Sequence, residues 1–349
     1  MSLSVGIVGL PNVGKSTLFK ALTKKQVDAS NYPFCTIDPN VGVVAVPDAR
    51  LEKLAKVSNS AKIVPTAIEF VDIAGLVAGA HKGEGLGNKF LANIRNTDAI
   101  VQVLRHFSDK DVTHVHGKID PESDKETINL ELIFADLATV DGRIGKNEKL
   151  ARGNDKEAKI LQPIYEKLKK GLEEGKLAID IITDKEEKLL IRDLNLLTMK
   201  PMIYVLNVDE DNIFQATDYI PISAKIEADL SELPKEEASE YLKELKLESS
   251  GLDKLIKKSY DTLDLITFFT SGPQEAKAWT IKSGSYAPQA AGVIHTDFEK
   301  GFIRAEVINW HDFVDNGGEV KAKEKGLIRL EGKDYVVQDG DVCHFRFNV

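Results

Sequence analysis

The chain has 349 residues, 42% hydrophobic and 29% charged, with a formal net charge of -9. That size and balance fit a soluble globular protein of two or three domains. The acidic surplus argues against indiscriminate nucleic-acid binding but leaves room for a local basic patch, and no apolar run approaches bilayer length.

S-V-G-I-V-G-L, near the start, is a short apolar run ending in glycine and predicts a buried strand. A helix is predicted over about 15–23. Strands follow at 41–46 (closed by Pro47), 67–72, 99–104 and 202–207. Apolar strands separated by helical segments imply an α/β domain with a largely parallel sheet. Between the fourth and fifth strands, 121–197 is charged and lacks strand-like runs. Ile133, Leu137, Val140 and Ile144 recur at spacings of four, three and four, and Leu161, Tyr165, Leu168 and Leu172 repeat the rhythm. With R-G-N-D at 152–155 as a turn, this predicts an inserted helical hairpin with its two apolar stripes packed together. Pro163 predicts a kink or a late start in the second helix. The tip, 143–159, is richer in Lys and Arg than in acids: a solvated end by default, a docking surface as the alternative.

After Phe268, the runs A-W-T-I, F-I-R-A-E-V-I, D-Y-V-V and V-C-H-F-R-F are strand candidates between glycine-rich turns, with one helix-like piece, P-Q-A-A-G-V-I-H. A small mixed α+β module fits. The predicted domains are therefore 1–120 with 198–267, the insertion 121–197, and 268–349. No internal repeat is present.

G-L-P-N-V-G-K-S-T, from Gly9 to Thr17, satisfies G-x-x-x-x-G-K-[ST] between a predicted strand and a predicted helix, which is the P-loop NTPase arrangement. Gly9 and Gly14 let the backbone curl so that amides around Asn12 and Val13 point at phosphate oxygens. Lys15 carries an ammonium to the β and γ phosphates, Ser16 offers its hydroxyl to Mg²⁺, and the helix start at Ser16 and Thr17 adds a favourable dipole. Two downstream elements support the reading. D-I-A-G places Asp72 at a strand end, where it holds Mg²⁺ through water, and Gly75, whose amide senses the γ phosphate. Thr36, in N-Y-P-F-C-T-I-D-P, completes the Mg²⁺ shell when a triphosphate is bound. The order phosphate loop, threonine loop, D-x-x-G, N-x-x-[DE] is that of GTPases.

The base loop departs from guanine-reading N-K-x-D. Asn207 keeps the asparagine, Val208 replaces the lysine and Glu210 the aspartate. The extra methylene moves the carboxylate out of register with the two guanine donors, and lost hydrogen bonds of that kind discriminate by roughly 10⁴-fold. The residues favour adenine and leave open a loose contact of Glu210 with guanine. In P-I-S-A-K-I-E, the residues Ser223, Ala224 and Lys225 are predicted to close over the base through backbone amides.

Together with K-G-E-G-L-G-N-K-F-L, H-T-D-F-E-K-G-F-I-R-A and K-D-Y-V-V-Q-D-G-D-V, these motifs span nearly the whole chain, which resembles the Obg-like ATPase family of the YchF type. The resemblance implies a GTPase-like domain, an inserted coiled coil, a C-terminal TGS module with a ubiquitin-like fold, preference for ATP, and association with the ribosome, its RNA and protein. A cytoplasmic monomer that binds neither membrane nor specific DNA sequences is expected. The two cysteines, Cys35 and Cys343, have no metal-ligand spacing and read as free thiols.

For hydrolysis, the position of the water-orienting glutamine of Ras-like enzymes is Leu76, so slow intrinsic turnover is expected. Asn12 resembles the asparagine with which related enzymes hold K⁺ near the β and γ phosphates. His114, in V-T-H-V-H-G-K, matches a histidine associated with catalysis in the family; His116 is its close alternative and His81 a third. Five glycines between 75 and 87 suit a loop that reorders around the γ phosphate, and Lys82 and Lys89 flank it. Two alternatives stay open beside an ATPase switch: an ordinary GTPase and a nucleotide-gated binding scaffold.

Overall fold

The structure, a computed structural model, describes residues 3–25, 39–73, 86–108, 118–213 and 219–348. The strands in chain order are β1 (Ser4–Gly9), β2 (Val41–Ala45), β3 (Lys62–Val64), β4 (Ala67–Asp72), β5 (Ala99–His106), β6 (Met202–Val208), β7 (Ile220–Ile222), β8 (Leu265–Ser271), β9 (Glu275–Lys282), β10 (Phe302–Asn309), β11 (Arg329–Glu331) and β12 (Asp341–Phe347). The first helices are α1 (Lys15–Lys24), α2 (Ala49–Ser58), α3 (Leu86–Arg95), α4 (Pro121–Arg152) and α5 (Lys156–Glu173). Among the described residues the chain divides into two compact units: 3–25, 39–42, 69–73, 86–108, 118–213 and 219–255 form one, and 43–68 and 256–348 the other. Among the described residues, no helix is long and apolar enough to cross a membrane.

The first sheet has the order β2-β4-β1-β5-β6-β7. β4, β1, β5, β6 and β7 run parallel, as the alternation of apolar strands and helices predicts. β1 is buried along its whole length, and Ile7 and Val8 are fully enclosed. Parallel strands covered on both faces require such unbroken apolar runs. The sheet order reverses at β1, which has β4 on one side and β5 on the other. A crevice opens beyond the carboxyl ends of parallel strands at such a point.

The insertion is a hairpin of α4 and α5. Asp120 caps the first helix by accepting from Ser123 N, and Asp155 caps the second by accepting from Ala158 N. Both predicted apolar stripes meet. Ile133, Val140, Tyr165, Leu168 and Leu172 form one buried cluster with Leu137, Ile144 and Leu161 at its margin. The late start predicted from Pro163 is not observed, because α5 begins at Lys156 and runs through the proline. The residues after α5 do not simply return to the sheet. Ala178, Ile182, Ile191, Leu194 and Leu196 join the same core. The Asp136 carboxylate on α4 fixes this return by accepting from Leu197 N (2.8 Å), Thr198 N (2.7 Å) and Thr198 Oγ1 (2.7 Å).

The second sheet has the order β11-β10-β12-β8-β9-β3. β8 and β9 are antiparallel, as are β10 with β11 and β10 with β12, while β12 with β8 and β3 with β9 are parallel. One face packs on the helix Ala287–Ile294 through Ala287, Ala290 and Ala291 against Phe268, Phe302 and Phe345. The other face receives Leu51, Leu54 and Ala55 of α2 against Phe269, Ala278 and Val342. So α2 and β3 build this sheet, although the sequence reading grouped 43–68 with the first domain. D-Y-V-V does not form a strand; Val336 makes an isolated bridge to Tyr286. Cys343 is buried as a free thiol.

Candidate functional site

The phosphate loop leaves β1 at Gly9 and enters α1 at Lys15, the strand-to-helix context its motif demands. Two residues turn left-handed within it, Asn12 (φ 65°) and Gly14 (φ 89°). Gly14 is required twice over. Its positive φ disfavours a side chain, and a Cβ there would lie 2.1 Å from Asn207 Nδ2. A Cβ at Gly9 would stand 2.9 Å from the Val103 carbonyl oxygen. The Val13 side chain is buried and anchors the loop from behind. α1 has no acidic residue in its first turn, so the partial positive charge of its N-terminus faces the loop unopposed.

Lys15 is buried and ion-paired with Asp72 at the end of β4. Ser16 and Thr17 are exposed on the first turn of α1. Ser16 and Asp72 thus present a hydroxyl and a carboxylate on the same wall as the Lys15 ammonium. This oxygen donor set fits Mg²⁺, which keeps several waters and takes one or two protein oxygens beside substrate phosphates.

On the other side, Asn207 at the end of β6 is a buried strut. Its Nδ2 donates to the Val13 carbonyl (2.9 Å), and its Oδ1 accepts from Ala224 N (3.0 Å). With one Nδ2 hydrogen and one Oδ1 lone pair used in this way, Asn207 ties the phosphate loop to the base loop. The Ala224 amide, expected to close over the base, is occupied by the same strut. Ser223 Oγ caps the helix Ala224–Glu232 by accepting from Ile226 N. Val208 is buried beneath the loop. Glu210 is turned sideways: its Oε1 pairs with Lys225 Nζ at 2.7 Å, both side chains lying in solvent. Hydrogen bonding to Glu210 lifts the Lys225 ammonium above its ordinary value.

These groups line one cavity of about 1410 Å³. It brings together Asn12, Gly14, Lys15, Ser16, Thr17, Asp72, Asn207, Val208, Glu210, Ser223, Ala224 and Lys225. Gly9 and Val13 support it from behind. Thr36, Gly75, Leu76, His81, Lys82, His114 and His116, with the Lys89 side chain, lie outside the described residues.

Sequence reasoning passed over the end of β5. Arg105 is among the largest fully buried side chains, at 1% exposure. Its Nη1 reaches the Asn12 carbonyl (3.5 Å), its Nε donates to the Phe107 carbonyl (3.3 Å), and its guanidinium lies 4.4 Å from the Phe107 ring centre. Phe107 and Ser108 line the cavity, and Ser108 N donates to the Asp209 carboxylate (3.1 Å). The signal was present. A buried cation in an otherwise apolar strand, A-I-V-Q-V-L-R-H, is costly unless it is hydrogen-bonded.

Comparison with known proteins agrees with this architecture. The model described as a 50S ribosome-binding GTPase matches residues 4–136, and the YchF-GTPase_C model, described as a protein of unknown function, matches 265–348. The chain is 54% identical to the ribosome-binding ATPase YchF of Bacillus subtilis (strain 168), with both chains covered completely. It is 50% identical to the protein of that name from Escherichia coli O157:H7, again over both full lengths. Among solved structures, the YchF GTPase of Schizosaccharomyces pombe matches with a TM-score of 0.88 at 38% identity, over 99% of this chain and 98% of that one. With such likeness running from end to end, and with the phosphate loop and altered base loop on one cavity, the chain belongs to the YchF family.

Proposed function

We propose that this protein binds and hydrolyses ATP in the cavity at the ends of β1, β4, β5 and β6, and uses the cycle as a switch on the ribosome. One observation carries the choice of base. Glu210, which stands where the guanine-gripping aspartate of N-K-x-D loops would be, pairs with Lys225. Guanine N1–H and its amino group would then lack their acceptor, whereas adenine asks for none there. The relatives named ribosome-binding ATPase support both the nucleotide and the partner.

In this reading, Lys15 leaves Asp72 for the β and γ phosphate oxygens, and the loop amides and the α1 N-terminus bind the remaining charge. Ser16, Thr36 and Asp72 hold Mg²⁺. An ion held there would supply positive charge against the phosphate oxygens of the nucleotide. Asn12 holds K⁺, the Gly75 amide senses the γ phosphate and His114 orients the attacking water. Leu76 supplies no hydrogen bond to that water, so turnover by the isolated protein is slow.

Competition against a fluorescent ATP analogue tests the base. ATP should displace it at least tenfold better than GTP, and Glu210→Asp with Val208→Lys should narrow the gap. Tighter displacement by GTP would overturn the assignment. In the same assay, His114→Ala should leave ATP affinity intact while slowing turnover about 10²-fold, the usual weight of a general base.

A further inference from the structure

We propose that the end of the hairpin is an RNA-docking surface; the inference rests on the ribosome reading above and assigns it a place on the molecule. The two helices carry the same arrangement there. Lys146, Lys149 and Leu150 stand on α4 at i, i+3 and i+4, and Lys156, Lys159 and Ile160 repeat it on α5. That spacing gathers each trio on one side of its helix. All four lysines are exposed, and so are Leu150 (58%) and Ile160 (56%), although most other aliphatic residues of the hairpin pack inward.

The charge is local. Residues 143–160 hold six Lys or Arg against three Asp or Glu, in a chain whose net charge is -9. Of those acids, Asp155 caps α5 and Glu148 pairs with Arg152 at 3.5 Å. Arg143 is taken by Asp193 at 2.7 Å, and Lys159 donates to Asn154. Among the described residues, no acid pairs with Lys146, Lys149 or Lys156. The patch is also held in shape. Asn147 is buried between the helices and donates to the Ala158 carbonyl (2.8 Å) and to Gln162 Oε1 (2.9 Å), while Asn154 makes the left-handed turn (φ 68°). Holding the two helix ends that carry the lysines in advance reduces the backbone share of the ordering cost of binding.

The composition selects the partner class. Protein interfaces are enriched in aromatic residues and depleted in lysine. The segment 143–160 contains no aromatic residue and four lysines. Lysine binds phosphate as a point charge, and release of counterions from a polyanion drives such contacts. Leu150 and Ile160 then lie against sugar or base faces between the phosphates.

The test is co-sedimentation of the full-length protein with purified ribosomes over a salt series. Replacing Lys146, Lys149, Lys156 and Lys159 with Glu should weaken binding at least tenfold without changing ribosome-free ATP turnover. The parallel replacement of all four with Gln, which adds no repulsion, should flatten the plot of log K against log salt by about three. A photoreactive residue placed at position 150 should crosslink to RNA. Unchanged affinity and slope in the Gln variant, or crosslinks to ribosomal protein alone, would overturn the surface. Absence of binding by the wild-type chain would sink the ribosome reading with it, whereas binding retained by the charge-reversed variant sinks only the surface.

Discussion

Asn207 and Gly14 are interlocked. The asparagine bridges Val13 and Ala224, and the space it uses is the space a side chain at position 14 would fill. Gly14→Ala therefore combines left-handed strain of about 1–2 kcal/mol with displacement of the strut, leaving a buried carbonyl and a buried amide unpaired at roughly 1–3 kcal/mol each. The variant should lose nucleotide binding in a fluorescence titration and unfold at clearly lower urea. In an Asn207→Ala background the same change should cost less, because the clash is already gone; simple additivity would refute the interlock. The placing of Gly9, Gly14, Lys15 and Ser16 on a strand-to-helix loop was legible in the sequence because it follows from spacing along the chain. The strut formed by Asn207 and the buried contacts of Arg105 were not, since their partners, Ala224 and Asn12, are distant in sequence and adjacent only after β5 and β6 take their places beside β1. The same holds for Glu210. Its identity announced a changed base loop, but the pairing with Lys225 emerges only when β7 sets the second loop against the first.

At the level of elements, Glu227 joins the helix Ala224–Glu232 to the one at Gly251–Thr262. Its Oε1 accepts from Gly251 N at 2.6 Å, while among the described residues its buried Oε2 has no hydrogen-bond partner. Burial raises its pKa, and the Lys25 charge and the Gly251 and Leu252 amides offset only part of this. The folded protein therefore holds this proton more tightly than the unfolded chain does. The stabilisation is complete below the ordinary carboxylate range, about pH 4.3, and is lost as pH rises through the elevated value. Urea midpoints measured from pH 4 upward should show the wild type losing stability relative to Glu227→Gln; a constant difference would remove Glu227 as the cause. Element type was mostly readable. Unbroken apolar runs gave the parallel strands, and the four-three-four spacing gave the hairpin. Periodicity failed where pairing is remote or partial. β3 is a three-residue strand whose partner β9 lies some 200 residues on, and D-Y-V-V has a strand-like composition but only one bridge.

For the whole molecule, the cavity belongs to a single compact unit, so ligand effects have a defined home. ATP with Mg²⁺ at a hundredfold excess over its Kd should stabilise that unit by about 2.7 kcal/mol. Hydrogen exchange resolved by peptide should show the protection at 9–17, 105–108, 207–212 and 223–228 together. Slowing confined to 9–17 would mean that phosphate is held while the base loop stays uninvolved.

The second sheet has a consequence for how the chain is made. α2 and β3 are translated early, yet the surfaces that cover Leu51, Leu54 and Ala55 come from β8, β9 and β12, roughly 200 to 290 positions further along the chain. At 5–20 residues per second, the roughly 290 residues from Leu51 to Val342 take about fifteen to sixty seconds. During synthesis this early segment must remain unassembled with its apolar face uncovered, so the nascent chain should be most vulnerable to chaperone capture or misassociation between the emergence of α2 and that of β12.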